Sequence, residues 1–432
     1  MQYRIYLNLA LTAILAPIYS LAQPCSKGYY KDVFNDSGIR VTSRSDLPAV
    51  RYLGLSMESF ISAKGEDGDV ITAIDSMLQK QLIEGSEMDE NGILLYPDGA
   101  PRFRVLYVNG GSSFSHGESL GHTGIERIKQ FVANGGSYVG TCAGSALSST
   151  GIWKDTHFQS QEYYFGIWPG VIRRTELAKT YTGMNIPGDS PLLRYYDFGG
   201  DLHIDSMRHN LGNHAYTSFN YPQETEVLAT YETDTMQLER AIGGEPGIWA
   251  YKPYASAGRA VMCGSHPEAI TKGERLHLMS AMLRYAMDGN GIAKIKADLQ
   301  NGSVRTMNKN THDGMPDYTK IGDKQYHHFT FKIPKHTEKV TITLASVPGY
   351  TNYDLYLLAR KDGFAFKGES DVQDLTFGVD KTIEIEQPQS GTWYVSVFCD
   401  TSVDAMQTKY GVQYTGRTDV LNGVPYTIRI DY

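Results

Sequence analysis

Cysteine, surplus positive charge and long apolar runs are all scarce in this 432-residue sequence. Lysine and arginine total 40 against 48 acidic residues, a formal net charge of −8. The basic residues are scattered, which argues against a nucleic-acid or anionic-membrane partner. Beyond the N-terminus no stretch approaches about 18 consecutive apolar residues, so no membrane span is expected. The cysteines are Cys25, Cys142, Cys263 and Cys399. Four would suit two disulfides, but a disulfide cysteine does not need the glycine-flanked turn that surrounds Cys142. Cys263 lies in the apolar run Ala260-Val261-Met262-Cys263 and reads as a small core residue.

The one apolar stretch is N-terminal. Arg4 precedes a mostly apolar segment from Ile5 to Ile18, and Ser20-Leu21-Ala22 supplies small residues where signal peptidase reads them. Residues 1–22 are therefore expected to be a signal peptide and the protein to be exported to the periplasm, the medium or the cell surface. The length is too great for one ordinary core, and 41% hydrophobic with 20% charged residues is the composition of a globular protein.

Two periodicities divide the chain. Val50–Leu55 reads as a strand, 69–84 as a helix, 104–108 as a strand buried on both faces, and 124–134 as a helix. A strand at 137–139 and a helix opening at Ala143 follow. Residues 151–222 give no clear period and read as excursions and β-rich insertions around the mouth of a site. Strands at 226–230, 248–251 and 259–264 and an amphipathic helix at 274–287 complete an α/β unit over 49–290, preceded by an N-terminal segment at 23–48. Residues 291–317 read as a linker. From 318 to 432 the period becomes two, with short strands bounded by turn residues, as in an antiparallel β-sandwich.

The chemistry concentrates at three places. Gly140-Thr141-Cys142-Ala143-Gly144 follows an apolar strand, a turn able to hold one side chain exposed at a strand end. Asn109-Gly110-Gly111 ends an earlier strand and can present backbone N–H groups. His266-Pro267-Glu268 offers an imidazole and a carboxylate. Cys142 would be the nucleophile, His266 its general base and then acid, and Glu268 the group that fixes the imidazole. Ala143 N–H and Gly111 N–H, with Gly110, would form the oxyanion hole. His-Pro-Glu is also a sound helix cap, but its joint occurrence with the cysteine turn and the Gly-Gly loop favours catalysis.

Other polar clusters carry weaker signals. Asp201, His203, Asp205 and His209 match no zinc spacing. His116, His122, His157 and His214 read as loop histidines that would border the pocket at most. Glu58, Glu162 and Arg259 rank as substrate contacts and no more. The triad needs no cofactor and no metal.

Gly110-Gly111, the Gly140–Gly144 turn and His266-Pro267-Glu268, in that order, resemble the class I glutamine amidotransferase-like superfamily. Tyr138–Leu147 and Phe165–Gly170 resemble its biotin–protein ligase N-terminal-like branch, over about 49–289. Asp354–Leu357 and Gly391–Val397 resemble a bacterial pre-peptidase C-terminal β-sandwich. The resemblances imply a flavodoxin-like parallel sheet with helices on both faces, followed by the antiparallel sandwich. They also imply that the sandwich accompanies a secreted hydrolase and contacts a surface, polymer or substrate. Some such domains bind calcium, for which Asp354 offers an oxygen, although a solvated turn carboxylate is the commoner use.

The function expected is an exported cysteine-dependent hydrolase of amide bonds in a small-molecule or peptide substrate, of peptide or γ-glutamyl type. A non-catalytic surface protein that binds a ligand or polymer is the alternative, and stand-alone glutaminase action is a third. The residues do not identify the substrate.

Overall fold

The computed structural model describes residues 27–36, 47–60, 83, 85, 89–232, 242–408 and 411–432. The expected signal peptide, Cys25 and, apart from Ile83, the helix expected over 69–84 lie outside the described residues.

In chain order the strands of the first part are β1 (Lys31–Asp36), β2 (Met57–Phe60), β3 (Phe103–Val108), β4 (Ser137–Thr141), β5 (Gly151–Lys154), β6 (His157–Ser160) and β7 (Val171–Arg174). They continue with β8 (Thr180–Asn185), β9 (His203–His209), β10 (Asn213–Ala215), β11 (Glu226–Tyr231), β12 (Pro246–Tyr251) and β13 (Ala260–Cys263). One sheet of nine strands runs β2-β1-β3-β4-β13-β12-β11-β8-β9. Every pair from β2 to β13 is parallel, and every pair from β13 outward is antiparallel. A separate four-stranded sheet, β10-β7-β5-β6, is built from the region without clear periodicity.

The inner strands are buried on both sides, and their side chains alternate between two cores. Val105, Tyr107, Val139 and Val261 point into one, with Leu276, Met279 and Leu283 of the helix Glu274–Met287. Leu106, Val108, Tyr138 and Met262 point into the other, with Ile125, Ile128 and Phe131 of the helix Ser113–Ala133. This two-sided burial is why β3 carries the continuous apolar run Val105–Val108 rather than an alternating pattern.

Two expectations change here. Val50–Leu55 is not a strand: residues Pro48–Leu53 are helical, with proline in the first turn and Gly54 in the left-handed region at φ 67° just past the end. Those two residues are the ordinary start and stop of a short helix, and they override the β-like content between them. The first strand is instead β1, inside the segment 23–48, where it sits between β2 and β3. The helix expected at 124–134 is the second of two that meet at a kink at Gly121 (φ 61°, ψ −178°); the first starts at Ser113, capped by Ser112, whose side chain accepts from the Ser115 N–H.

The second part contains β14 (Ile295–Asp298), β15 (Val304–Met307), β16 (Tyr326–Ile333), β17 (Lys339–Ser346), β18 (Leu355–Lys361), β19 (Val372–Asp374), β20 (Lys381–Glu386), β21 (Gly391–Cys399), β22 (Val403–Thr408), β23 (Gly411–Gly416) and β24 (Tyr426–Asp431). Sheets β14-β16-β21-β18-β19 and β15-β24-β17-β20 enclose one apolar core that includes Phe329, Phe331, Ile342, Leu357, Val395 and Ile428. Residues 291–317 are therefore more than a linker, since β14 and β15 add a strand to each sheet.

The two parts are joined by buried charge. Arg102, one residue before β3, pairs with Asp323 at 3.0 Å and reaches Asp89 at 3.7 Å, all three buried. Lys296 of β14 pairs with Asp98, and Thr311 donates to the Pro97 carbonyl at 2.8 Å. Among the described residues no helix is long and apolar enough to cross a membrane.

Candidate active site

Cys142 stands directly after β4, Gly110 and Gly111 follow β3, and His266 follows β13. These three strands are parallel neighbours, so their C-terminal ends bring the three motifs to one sheet edge. Cys142 takes φ 50° and ψ −104°, a backbone shape that costs roughly 1–3 kcal/mol for a residue with a side chain. Its surroundings hold it there. Its N–H donates to the Cys263 carbonyl at 2.8 Å. Its own carbonyl accepts from Ala146 N–H at 3.2 Å, Ser145 Oγ at 2.6 Å and Asn213 Nδ2 at 2.9 Å.

The glycines of the turn are there for close approach. A β-carbon on Gly144 would meet the Val108 carbonyl oxygen at 2.1 Å, and one on Gly140 would meet the Gly144 backbone at 2.5 Å. The turn thus packs backbone against backbone, with the helix Ala143–Leu147 rising from it.

His266 Nδ1 is 2.9 Å from Glu268 Oε1, and the ring stands beside Cys142, since a β-carbon on Gly110 would touch both His266 Cε1 and Cys142 Cβ. Burial disfavours the charged imidazole, but Cys142 and Glu268 beside the ring outweigh it, raising the His266 pKa to about 10. Glu268 is buried. The thiols of Cys142, Cys263 and Cys399 are all free. Burial pushes the Cys263 and Cys399 thiols well up, which makes them inert core residues.

A cavity of about 290 Å³ opens over the nucleophile, lined by Cys142, Ala143 and Gly111 together with Phe114, Arg174, Asn210 and Leu211. Neither Gly111 N–H nor Ala143 N–H has a protein acceptor among the described residues. Gly110 departs from the expected role, because its N–H donates to Asn109 Oδ1 at 2.8 Å. Its contribution is steric: a β-carbon there would lie 2.7 Å from His266 Cε1.

Several residues at the site were given no role there by the sequence. Ser145 and Asn213 bond each other at about 3 Å while both hold the Cys142 carbonyl. His209 bonds Ser265 Oγ at 2.8 Å through Nδ1 and Thr175 through Nε2. Burial, with His266 and His214 nearby, lowers the His209 pKa to about 4 and keeps the ring neutral. His266 N–H donates to the Arg208 carbonyl at 3.0 Å, so the end of β9 fixes the Ser265-His266 backbone. The motifs gave Ser145 by adjacency only, His209 was weighed only in the weak cluster with Asp201, His203 and Asp205, and Asn213 and Thr175 carried no signal.

The weaker clusters disperse. His203 pairs at the surface with Asp205 and Glu232, both at 3.1 Å, away from buried His209. His116 pairs with Asp36 at 2.9 Å inside the protein, and exposed His122 reaches Glu162 at 3.3 Å. His214 Nδ1 hydrogen-bonds the Ala215 carbonyl at 3.0 Å and lies 3.3 Å from Glu245, and His157 lies exposed on β6. Glu58 pairs with Lys31, and Arg259 sits over the Tyr285 ring at 3.8 Å. Asp354 Oδ1 accepts from Gly378 N–H at 3.0 Å, a turn-stabilising bond.

Residues 94–163 match the family described as "Biotin-protein ligase, N terminal", and 325–398 match the "Bacterial pre-peptidase C-terminal domain". The chain carries both. The biotin–protein ligase N-terminal match contains β3, the Gly-Gly loop, β4 and the Cys142 turn, whereas His266 and Glu268 lie beyond it. The pre-peptidase C-terminal match runs from β16 to β21, while β14, β15 and β24 of the sandwich lie outside it. Among solved structures, the pre-peptidase C-terminal domain of a collagenase from Bacillus anthracis is 8% identical, with a TM-score of 0.18, over 33% of this chain and 100% of that one. Aeromonas hydrophila PliG, a periplasmic inhibitor of g-type lysozyme, is 12% identical, with a TM-score of 0.20, over 32% of this chain and 96% of that one. No curated protein matches the chain.

Proposed function

We propose that the protein is an exported cysteine-dependent hydrolase of amide bonds. The observation that carries this reading is that His266 bonds Glu268 on one side and stands beside Cys142 across Gly110 on the other, with Cys142 a free thiol at a strained turn. The strand order β2-β1-β3-β4-β13 supports a flavodoxin-like assignment, in which ligands sit beyond the strand C-termini.

In this reading Cys142 Sγ attacks the carbonyl carbon while His266 holds the thiol proton. Gly111 N–H and Ala143 N–H receive the developing oxyanion. His266 then gives its proton to the leaving nitrogen, the C–N bond breaks, and a thioester remains on Cys142. Water attacks the thioester, His266 takes its proton, and breaking the C–S bond releases the acid and restores the thiol. Glu268 keeps the ring oriented throughout. The signal-peptide pattern over 1–22 and the pre-peptidase C-terminal domain support an extracytoplasmic location, with the sandwich as the surface, polymer or substrate contact.

Treating the native protein with iodoacetamide and mapping the adduct tests the site. Selective labelling of Cys142, lost in His266→Ala, is expected. An unreactive Cys142 would instead favour a non-catalytic binding protein.

A further inference from the structure

Among the described residues that line the cavity over Cys142, Arg174 alone carries a charge. Its orientation follows from strand register. Arg174 on β7 lies directly opposite Asn213 on β10 in an antiparallel pair, so the two side chains leave the same face. Asn213 uses that face to hold the Cys142 carbonyl. The neighbouring Arg173 faces the other way, with its guanidinium 5.4 Å from the centre of the Tyr216 ring. Arg174 is exposed and has no ion-pair partner among the described residues. Phe114 and Leu211, 55% and 59% exposed, add apolar surface to the same cavity. Leu211 is held at φ 51° beside Asn210, whose carbonyl lies 4.0 Å from Cys142 Sγ.

Resting on the hydrolase reading above, we propose that the cavity takes a small amide substrate bearing a free carboxylate, which Arg174 binds while the scissile carbonyl lies over Cys142. A guanidinium suits a carboxylate because its planar N–H groups can bind both oxygens at once. The volume of about 290 Å³ is at the small end for ligand sites and fits one amino-acid-sized group rather than a folded chain.

Two alkylating reagents of the same shape separate the outcomes. Iodoacetate carries the carboxylate and iodoacetamide does not, so the ratio of their rates at Cys142 reads the charge preference of the cavity. We expect that ratio to fall about tenfold in Arg174→Ala, the loss of one charge-assisted contact, and to recover in part in Arg174→Lys. An unchanged ratio in Arg174→Ala, with Cys142 still reactive, overturns the carboxylate assignment and leaves the triad standing. Failure of both reagents to label wild-type Cys142 overturns the hydrolase reading and this inference with it.

Discussion

Gly110 lies so close to His266 that a β-carbon at position 110 would stand 2.7 Å from His266 Cε1 and 3.2 Å from Cys142 Cβ. The smallest residue therefore sets how near the imidazole comes to the nucleophile. Gly110→Ala should push the ring aside and lower kcat/KM by about 100-fold, the usual effect of misplacing a catalytic group by about 1 Å. Thermal unfolding should move far less than activity. Comparing kinetics with the melting curve checks this, and unaltered kinetics would remove Gly110 from the site's geometry.

The raised His266 pKa predicts the pH response. Activity needs the imidazole protonated beside the nucleophile, so the alkaline limb of kcat/KM should fall near pH 10 rather than near 6.5. Glu268→Gln removes one of the groups that raise the pKa and should move that limb downward. Stability follows the same sign. A pKa raised on folding contributes fully below about 6.5 and is lost as pH rises towards 10. Urea midpoints measured from about pH 6 to about pH 10.5 should therefore decline more steeply in wild type than in His266→Gln.

Asn213 supports the strained turn without touching the reacting atoms. Asn213→Ala takes one donor from the buried Cys142 carbonyl and leaves Ser145 short of a partner. The expected cost is ~1–3 kcal/mol in chemical denaturation, with slower iodoacetamide labelling of Cys142. A loss of stability without slower labelling would mean that the turn keeps its shape by other means.

The contact between the two parts rests on Arg102, whose guanidinium is buried with Asp323 and Asp89. Arg102→Ala leaves both carboxylates buried without their cation and should destabilise by ~3–5 kcal/mol. Calorimetry should then show the two parts melting separately. A single unshifted transition would place the junction's strength elsewhere, at Lys296–Asp98 for example.

Much of this architecture was legible because periodicity and burial agree. The helix Glu274–Met287 and the strands around 104–108 and 392–398 follow from their apolar spacing, since each buries a face or both faces. Val50–Leu55 misled because its β-like residues sit between Pro48 and Gly54, and those terminal signals decide the local structure. The separate helix before the Gly121 kink was hidden by glycine and serine, including Gly117, whose missing side chain lets Tyr163 approach. At the site, contiguous motifs exposed Cys142, His266 and Glu268. Asn213, His209 and Arg174 come from short strands without periodicity, and only strand pairing brings them to the nucleophile.

The most direct test of the account is to trap an acyl group on the enzyme. The protein is mixed with a set of small carboxylate-bearing amides, quenched in acid and weighed intact. The account predicts a mass increase that maps to Cys142, accumulates in wild type and is absent from Cys142→Ala. Turnover that persists in Cys142→Ala, or an adduct that maps to another residue, would contradict it.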